Sequence, residues 1–507
     1  MNALTVASGD AFALDRVPVL TAETAHAELL GQRDAGARLC MFFGARSPAP
    51  EHVRVHAVTA HDETSRLQVL TFDVARATGS YPALTPAWPQ AHLFERELAE
   101  QFGLHPKGHP WLKPVRGEAP FAGPDLFVPP VGSRTRLDAY PFLQAGSQQM
   151  HEVGVGPVHA GIIEPGHFRF LCAGEHVEHL EISLGYQARG TEQRLLGGPD
   201  RRSGTLIESL AGDTAVAHML TWCRTFEALT ATRTSARAMA IRAVALELER
   251  IANHVGDLAA LANDVAFLPA AAWFGRLRGE FLNSLMDLSG NRYGRGLVRP
   301  GGVGMDLDPR LATTLLARLE TAKRDFARIA DVLFEKPSVK ARFDEVGRVT
   351  REEAEQLGLV GPAARASGLG RDVRADFAHG SYRFLHIPVA SAESGDVMAR
   401  ALVRRVECER SLEFLLDLVP HLPPGDLCRA IPVLPPRHGV VVLTEAWRGE
   451  IAHMVLTDER GRYARYKLKD PSFHNWSGLA LALRGQQISD FPLCNKSFNL
   501  SYAGHDL

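Results

Sequence analysis

Near residues 117–145 the chain turns rich in proline and glycine, as in GEAPFAGPDLFVPPVGSRTRLDAYPF, and loses every helical period. Proline lacks the N–H that a helix interior or a central strand needs, so this stretch reads as a connector. It constrains the fold more than any other feature, because it divides the 507 residues into a short and a long unit. The expected boundaries are 1–120 and 149–507, with 121–148 as the linker.

Text on the two sides differs. Before the connector, ARLCMFFGAR, HVRVHAVTAH and SRLQVLTFDV are short β-leaning runs parted by turn residues, and QAHLFERELAEQFGL is helical. The first unit is therefore expected to be a small α+β domain. After it, HFRFLCAGEHVEHLEISLGYQ predicts an antiparallel hairpin. In 236–262, Val244, Leu248, Ile251, Val255 and Leu258 step by 4, 3, 4 and 3, which predicts a long helix with a buried stripe. Further helices are expected at 205–230, 270–290, 308–334 and 392–418. HGVVVLTEAW, EIAHMVLTD and GRYARYKLKD read as strands near the end. The second unit is thus mainly α with peripheral β-strands.

Charge excludes one class of partner. With 56 Lys and Arg against 58 Asp and Glu, the net charge is −2, unlike the strongly basic balance of a nucleic-acid binder. The six cysteines are Cys40, Cys172, Cys223, Cys408, Cys428 and Cys494, and no C-x-x-C occurs. The chain therefore lacks the usual signature for an iron–sulfur cluster or structural zinc of its own. No apolar run approaches the length of a membrane span. Membrane work would be done through partners.

Two resemblances lie in tandem. ERELAEQFGLHPKGHPWLKPVR (95–116) resembles the signature of the 30-kDa subunit of respiratory complex I. GPVHAGIIEPGHFRF, LGYQARGTEQ, AVALELERIANHVGDLA, RPGGVG, ARASGLGRDVR, GDVMAR, EAWRGE and DPSFHNW are similar, in order and spacing, to the 49-kDa subunit. The fusion resembles the large subunit of group 4, formate hydrogenlyase-type, energy-converting nickel–iron hydrogenases. In that family ESLAGDTAVAH (208–218) and NKSFNLSYAGHDL (495–507) would each carry a C-x-x-C pair. Here those places hold Ala211 and Thr214, and Ser501 and Gly504. A soft metal centre of that kind needs thiolates. No metal is expected.

The resemblance also implies roles. Glu192 is the expected proton carrier, with Asp213 and Arg448 beside the lost centre. Arg448 is expected to pair with Asp213 first and Glu192 second. Arg189 and His254 are expected to face the iron–sulfur partner, and His159 or His167 to stand where complex I presents a histidine to quinone. The tyrosine that complex I uses for the quinone headgroup is not matched. Glu95, Arg96 and the GHP turn at 108–110 have sufficient structural explanations.

The whole implies the large subunit of a membrane-associated, complex I-like or hydrogenase-like oxidoreductase that couples electron transfer to ion translocation. The chain alone is expected to bind no cofactor. A 4Fe-4S cluster belongs to a partner small subunit, and NAD or quinone would enter at the level of the complex. Ferredoxin-like and membrane antiporter-like subunits complete the expected partners, with no nucleic acid. The expected place is the cytoplasmic face of a bacterial inner membrane, held peripherally. The alternative is a scaffold that keeps the interfaces without the chemistry. An active nickel–iron hydrogenase is the reading that the missing thiolates oppose.

Overall fold

The computed structural model describes residues 2–117, 140–147, 149–161 and 163–507. The expected linker at 121–148 lies outside the described residues apart from 140–147, which form no helix or strand.

The N-terminal unit is built on a sheet in the order Leu4–Val6, Arg66–Ala75, His52–His61, Arg38–Arg46, with Val19–Leu20 parallel to Arg66–Ala75. The helices Ala22–Asp34 and His92–Phe102 accompany it. Thr21 caps the first helix, accepting from the Thr24 N–H, and Gly103 ends the second in the left-handed conformation. Within the second, Glu95 accepts from the N–H groups of Leu84 and Thr85, and Arg96 donates to the carbonyls of Lys113 and Pro114. Both are spent on holding loops.

The C-terminal unit has the long helix Ala236–Asp264 at its centre. All five stripe residues, Val244 through Leu258, are fully buried. So are Glu247, Arg250 and His254 on the neighbouring face, so the helix is enclosed on more than its apolar side. Leu268–Ser289 and Val397–Leu418 pack against it, and Pro309–Glu335 packs on those two helices in turn. The predicted hairpin is His167–Ala173 with His176–Ser183, extended by Met150–Val155 into three strands. The single helix expected over 205–230 is two, Ser203–Glu208 and Ala215–Leu229.

The two units share more than a connector. Ala11–Ala13, which lies in sequence between two strands of the N-terminal sheet, pairs instead with His438–Val440, completing a four-stranded sheet with Gly449–Thr457 and Tyr463–Lys469. Met41, Phe43 and Val58 of the first sheet form one core with Val441, Leu443 and Met454 of the other. Buried ion pairs cross the seam. Glu97 takes Lys467 at 2.7 Å, and Glu450 takes both Arg38 and, at 2.7 Å, Lys469. A buried charge is tolerated only when paired, so these contacts fix the units in one relative position. Among the described residues no helix is long and apolar enough to cross a membrane.

Candidate functional site

The break between Ser203–Glu208 and Ala215–Leu229 is where the site forms. Asp213 stands in it. Arg448, in the turn between two strands of the C-terminal sheet, meets Asp213 with both terminal guanidinium nitrogens, at 2.6 and 2.9 Å. The Asp213 side chain is 31 % exposed and that of Arg448 5 %, so solvent reaches the acid in part while the guanidinium is buried. Trp447 lies flat under the guanidinium, 3.8 Å from its ring centre. Burial pushes the Asp213 carboxyl up. The charge of Arg448 and the hydrogen bonds from Arg448 and Thr214 outweigh it and hold Asp213 below the ordinary range.

Thr214 is fully committed. Its hydroxyl donates to Asp213 (3.2 Å) and accepts from Trp447 (3.1 Å) and Arg448 (3.2 Å). Ser501 accepts from the Gly504 N–H at 2.8 Å, capping the C-terminal helix Tyr502–Asp506. Gly504 faces Asp470, whose carboxylate atoms would lie 2.7–2.9 Å from any Cβ there. Arg189 joins the two segments, donating to the carbonyls of Ser209 (2.5 Å), Leu210 (2.9 Å) and Ala503 (3.3 Å). The two stretches that would carry cysteine pairs in the resembled family therefore do meet, but as capping groups and an ion pair. The donor set does not fit a thiolate metal centre: one neutral hydroxyl is saturated, another is a helix cap, and Ala211 and Gly504 offer nothing.

Gly504 yields a prediction. In a helix, Gly→Ala normally stabilises by about 1 kcal/mol. Here Asp470 is pinned by His218 (3.1 Å) and the Ser472 N–H (2.8 Å), so it cannot give way. Gly504→Ala is expected to destabilise by about 1–3 kcal/mol, read as a lower midpoint of thermal unfolding.

Other acids surround the pair. Glu164, in the loop before the strand His167–Ala173, accepts from the Tyr502 N–H at 3.2 Å. Its carboxyl is raised, first by burial. Asp213 adds to the rise, while Arg448 and the N–H groups of Tyr502 and Ala503 oppose it. Glu249 accepts from the N–H groups of Val216 (2.7 Å) and Ala217 (3.2 Å), at the start of the helix that follows Asp213. Burial, with Asp213 adding, pushes it up to about 8. Behind them runs a buried chain. Asp470 takes His218 Nε2, His218 Nδ1 lies 3.3 Å from His453 Nε2, and His453 Nδ1 lies 2.9 Å from the Tyr466 hydroxyl. With both rings neutral, one set of tautomers satisfies every contact: Tyr466 donates to His453, His453 to His218, His218 to Asp470.

The raised Glu249 makes stability depend on pH. Its folded value lies above its unfolded value, so the folded state holds the proton more tightly. Its contribution is complete below about pH 4.5 and is lost as pH rises through about 8. Glu249→Gln keeps an acceptor for the two N–H groups and removes the charge. It is expected to be more stable than the parent at pH 9, by on the order of 1–3 kcal/mol, with the gap closing by pH 5. Thermal melts across that range read it.

Several expected site residues fall elsewhere. Glu192 does not reach Arg448. It sits between Arg465 (2.8 Å) and Lys467 (3.1 Å) and accepts from the Leu468 N–H. Two cations hold it in place, which is poor equipment for a proton carrier. His254 is enclosed rather than facing a partner: its Nε2 meets Glu407 at 2.9 Å, and its ring stands edge-on to Trp447. It supports the site through Trp447. His159 and His167 bond backbone carbonyls nearby in the chain, at Gly166 and Gly156. Of that segment it is Glu164 on which the charges of Asp213 and Arg448 act. Glu164 stands in the quoted motif, three residues from His167, and no local signal ranks it above the histidines.

The model of the respiratory-chain NADH dehydrogenase 49-kDa subunit matches residues 264–433 and 428–506, and that of the 30-kDa subunit matches 24–124. Formate hydrogenlyase subunit 5 of Escherichia coli (strain K12) is 29% identical over 470 residues, covering 90% of this chain and 82% of that one. The carbon monoxide-induced hydrogenase of Rhodospirillum rubrum is 31% identical over 353 residues, covering 69% and 97%. A chain from the structure of the membrane-bound sulfane sulfur reductase, an archaeal respiratory membrane complex, superposes with a TM-score of 0.67 at 23% identity. It is covered in full and spans 72% of this chain.

Proposed function

We propose that this chain, which belongs to the group 4 hydrogenase-like large subunits and itself fuses a complex I 30-kDa-type with a 49-kDa-type domain, is the large subunit of a membrane-associated oxidoreductase coupling electron transfer to ion movement. In this reading it works without a nickel–iron centre of its own. The site is a proton-exchange station placed where relatives named as hydrogenases would hold their metal. Asp213 stays ionised against Arg448, while Glu164 beside it has a raised proton affinity. Two carboxyls pushed apart in pKa at one site divide the work, one fixing charge and one exchanging protons. That pairing is the observation that carries the reading.

Electrons are proposed to arrive from a four-iron cluster in an iron–sulfur small subunit. Arg189 lines a cavity of about 460 Å³ with Arg116, Tyr140 and Gly185, and so gives the site an accessible edge for such a partner. Ferredoxin-like and antiporter-like subunits would complete the assembly at the cytoplasmic face of the membrane, with quinone or NAD met at the level of the complex.

The test is the intact complex purified from membranes. The expected result is redox turnover that acidifies or alkalinises sealed vesicles, with no hydrogen evolved and no stoichiometric nickel. About one nickel per chain would overturn the metal-free reading. Absence of redox turnover with any low-potential donor would favour a scaffold.

A further inference from the structure

Away from that site, a cavity of about 780 Å³ opens where the N-terminal strands meet the helical core. Its walls carry five arginines. Arg242 is neutralised by Glu227, which it grips at 2.5 and 3.0 Å. The other four, Arg16, Arg224, Arg233 and Arg383, have no carboxylate within salt-bridge reach among the described residues. Arg224 spends its donors on uncharged groups, the Leu443 carbonyl (2.5 Å) and the Thr444 hydroxyl (3.0 Å). Arg383 donates to its own loop at the Ala378 carbonyl. Asp10 is the remaining acid on the wall, and it accepts from the Ala7 N–H.

A second observation points into the same space. His379 is 7 % exposed, and its Nε2 has no hydrogen-bond partner. Burial, with the charges of Arg224, Arg383 and Arg242 adding to it, keeps the ring neutral. A neutral imidazole nitrogen left unpartnered in the wall of a cationic cavity is a group waiting for a hydrogen-bonding ligand. Like charges gathered against low-dielectric walls also focus a field that draws in an anion. The planar guanidinium fork matches phosphate and carboxylate oxygens. Four cations exceed what one carboxylate would balance, whereas a phosphate or pyrophosphate group takes several. Phe12, Leu220 and Met239 give the wall an apolar part. The volume is within the usual range for small-molecule sites, about 300–1,000 Å³.

We propose that this cavity binds a small phosphorylated molecule, its phosphate on Arg224, Arg383 and His379 and its apolar part against Phe12, Leu220 and Met239. The source is a soluble phosphorylated metabolite or a phospholipid headgroup. Either ligand bridges the N-terminal segment and the core, so occupancy ties the two units together where Ala11–Ala13 joins the C-terminal sheet.

The experiment uses the full chain with its co-purifying subunits, titrated by calorimetry with pyrophosphate and with ADP at constant ionic strength. Co-sedimentation with vesicles of phosphatidylglycerol and phosphatidylcholine is run in parallel. Arg16→Gln and Arg383→Gln are suitable variants, since both arginines are exposed and lack a carboxylate partner. Saturable binding of one pyrophosphate or ADP per chain is expected, weakened by about 10-fold or more in Arg383→Gln, as loss of a charged hydrogen bond implies. Binding to vesicles alone, lost in the same variant, assigns the phosphate to a lipid headgroup. No saturable binding of any probe, or binding unchanged in the double variant, overturns the proposal.

Discussion

Glu164→Gln is expected to cut turnover of the intact complex by about 100-fold or more while leaving its subunits assembled. Proton transfer by a placed side chain contributes roughly 10²- to 10⁴-fold. Glutamine keeps the size of the side chain and an oxygen for the Tyr502 N–H, but carries no exchangeable acid proton. The pH–rate profile separates a chemical role from a structural one. Burial raises the Glu164 pKa and Asp213 adds to the rise, whereas Arg448 opposes it. Asp213→Asn removes the negative neighbour and frees Arg448 to act unopposed. The Glu164 proton is then held less tightly, and the limb of the profile that it controls moves to lower pH. Glu192→Gln is the contrast. Glu192 is clamped by Arg465 and Lys467, so its loss should weaken the seam between the units and leave the profile in place. A profile that moves with Glu192→Gln and not with Glu164→Gln would put the proton station in the wrong residue.

The contrast between those two acids shows where sequence reading reaches its limit. Period carries the long helices: Val244, Leu248, Ile251, Val255 and Leu258 announce Ala236–Asp264 because burial on one side repeats every three or four residues. The long strands Arg38–Arg46, His52–His61 and Arg66–Ala75 of the first sheet, and His438–Ala446, Gly449–Thr457 and Tyr463–Lys469 of the C-terminal one, are announced by their β-branched and apolar runs, whereas the short Leu4–Val6 and Val19–Leu20 are not. The break at 209–214 is not announced, because what ends one helix and starts the next comes from elsewhere. Glu249 accepts the first free N–H groups of the second helix from 33 residues away. Ala11–Ala13 gives no sign that its partner is His438–Val440, since a three-residue strand has no pattern to match. The site follows the same rule. Asp213 and Arg448 are legible as neighbours because each belongs to a motif that resembles one side of the same centre. Glu164 lies between His159 and His167 in one short segment, and only the fold decides that the acid accepts from the Tyr502 N–H while the histidines bond backbone carbonyls. His254 lies on the helix face that the spacing gives it, but the sequence holds no sign that Val397–Leu418 covers that face with Glu407.

That covered face supports the largest expected loss of stability. Arg365 is fully buried and binds Glu407 (2.7 Å) and Glu445 (2.8 Å), with Asp372 at 3.6 Å. Arg365→Met keeps much of the volume and removes the charge. Glu407 retains His254 at 2.9 Å and Arg250 at 3.5 Å. Glu445 retains the Val373 N–H. Removing one partner from a buried ion pair typically costs about 3–5 kcal/mol. The cost should vary with pH in a defined direction. Burial, with Asp372 adding, already pushes Glu445 up to about 7. Without Arg365 it rises further, so the variant carries a proton there through neutral pH. Its folded value stands above its unfolded value, and the stability linked to that proton is lost as pH rises. Arg365→Met should therefore be least harmful near pH 6 and most harmful above pH 8, read as the urea midpoint at each pH. His254 would then be the main neutral partner left to Glu407, and its ring braces Trp447 under Arg448. A fall in turnover beyond the fall in stability would show that this buried cluster sets the geometry of the Asp213–Arg448 pair. A urea midpoint unchanged at every pH would mean that Arg250, not Arg365, is the cation that balances the two glutamates.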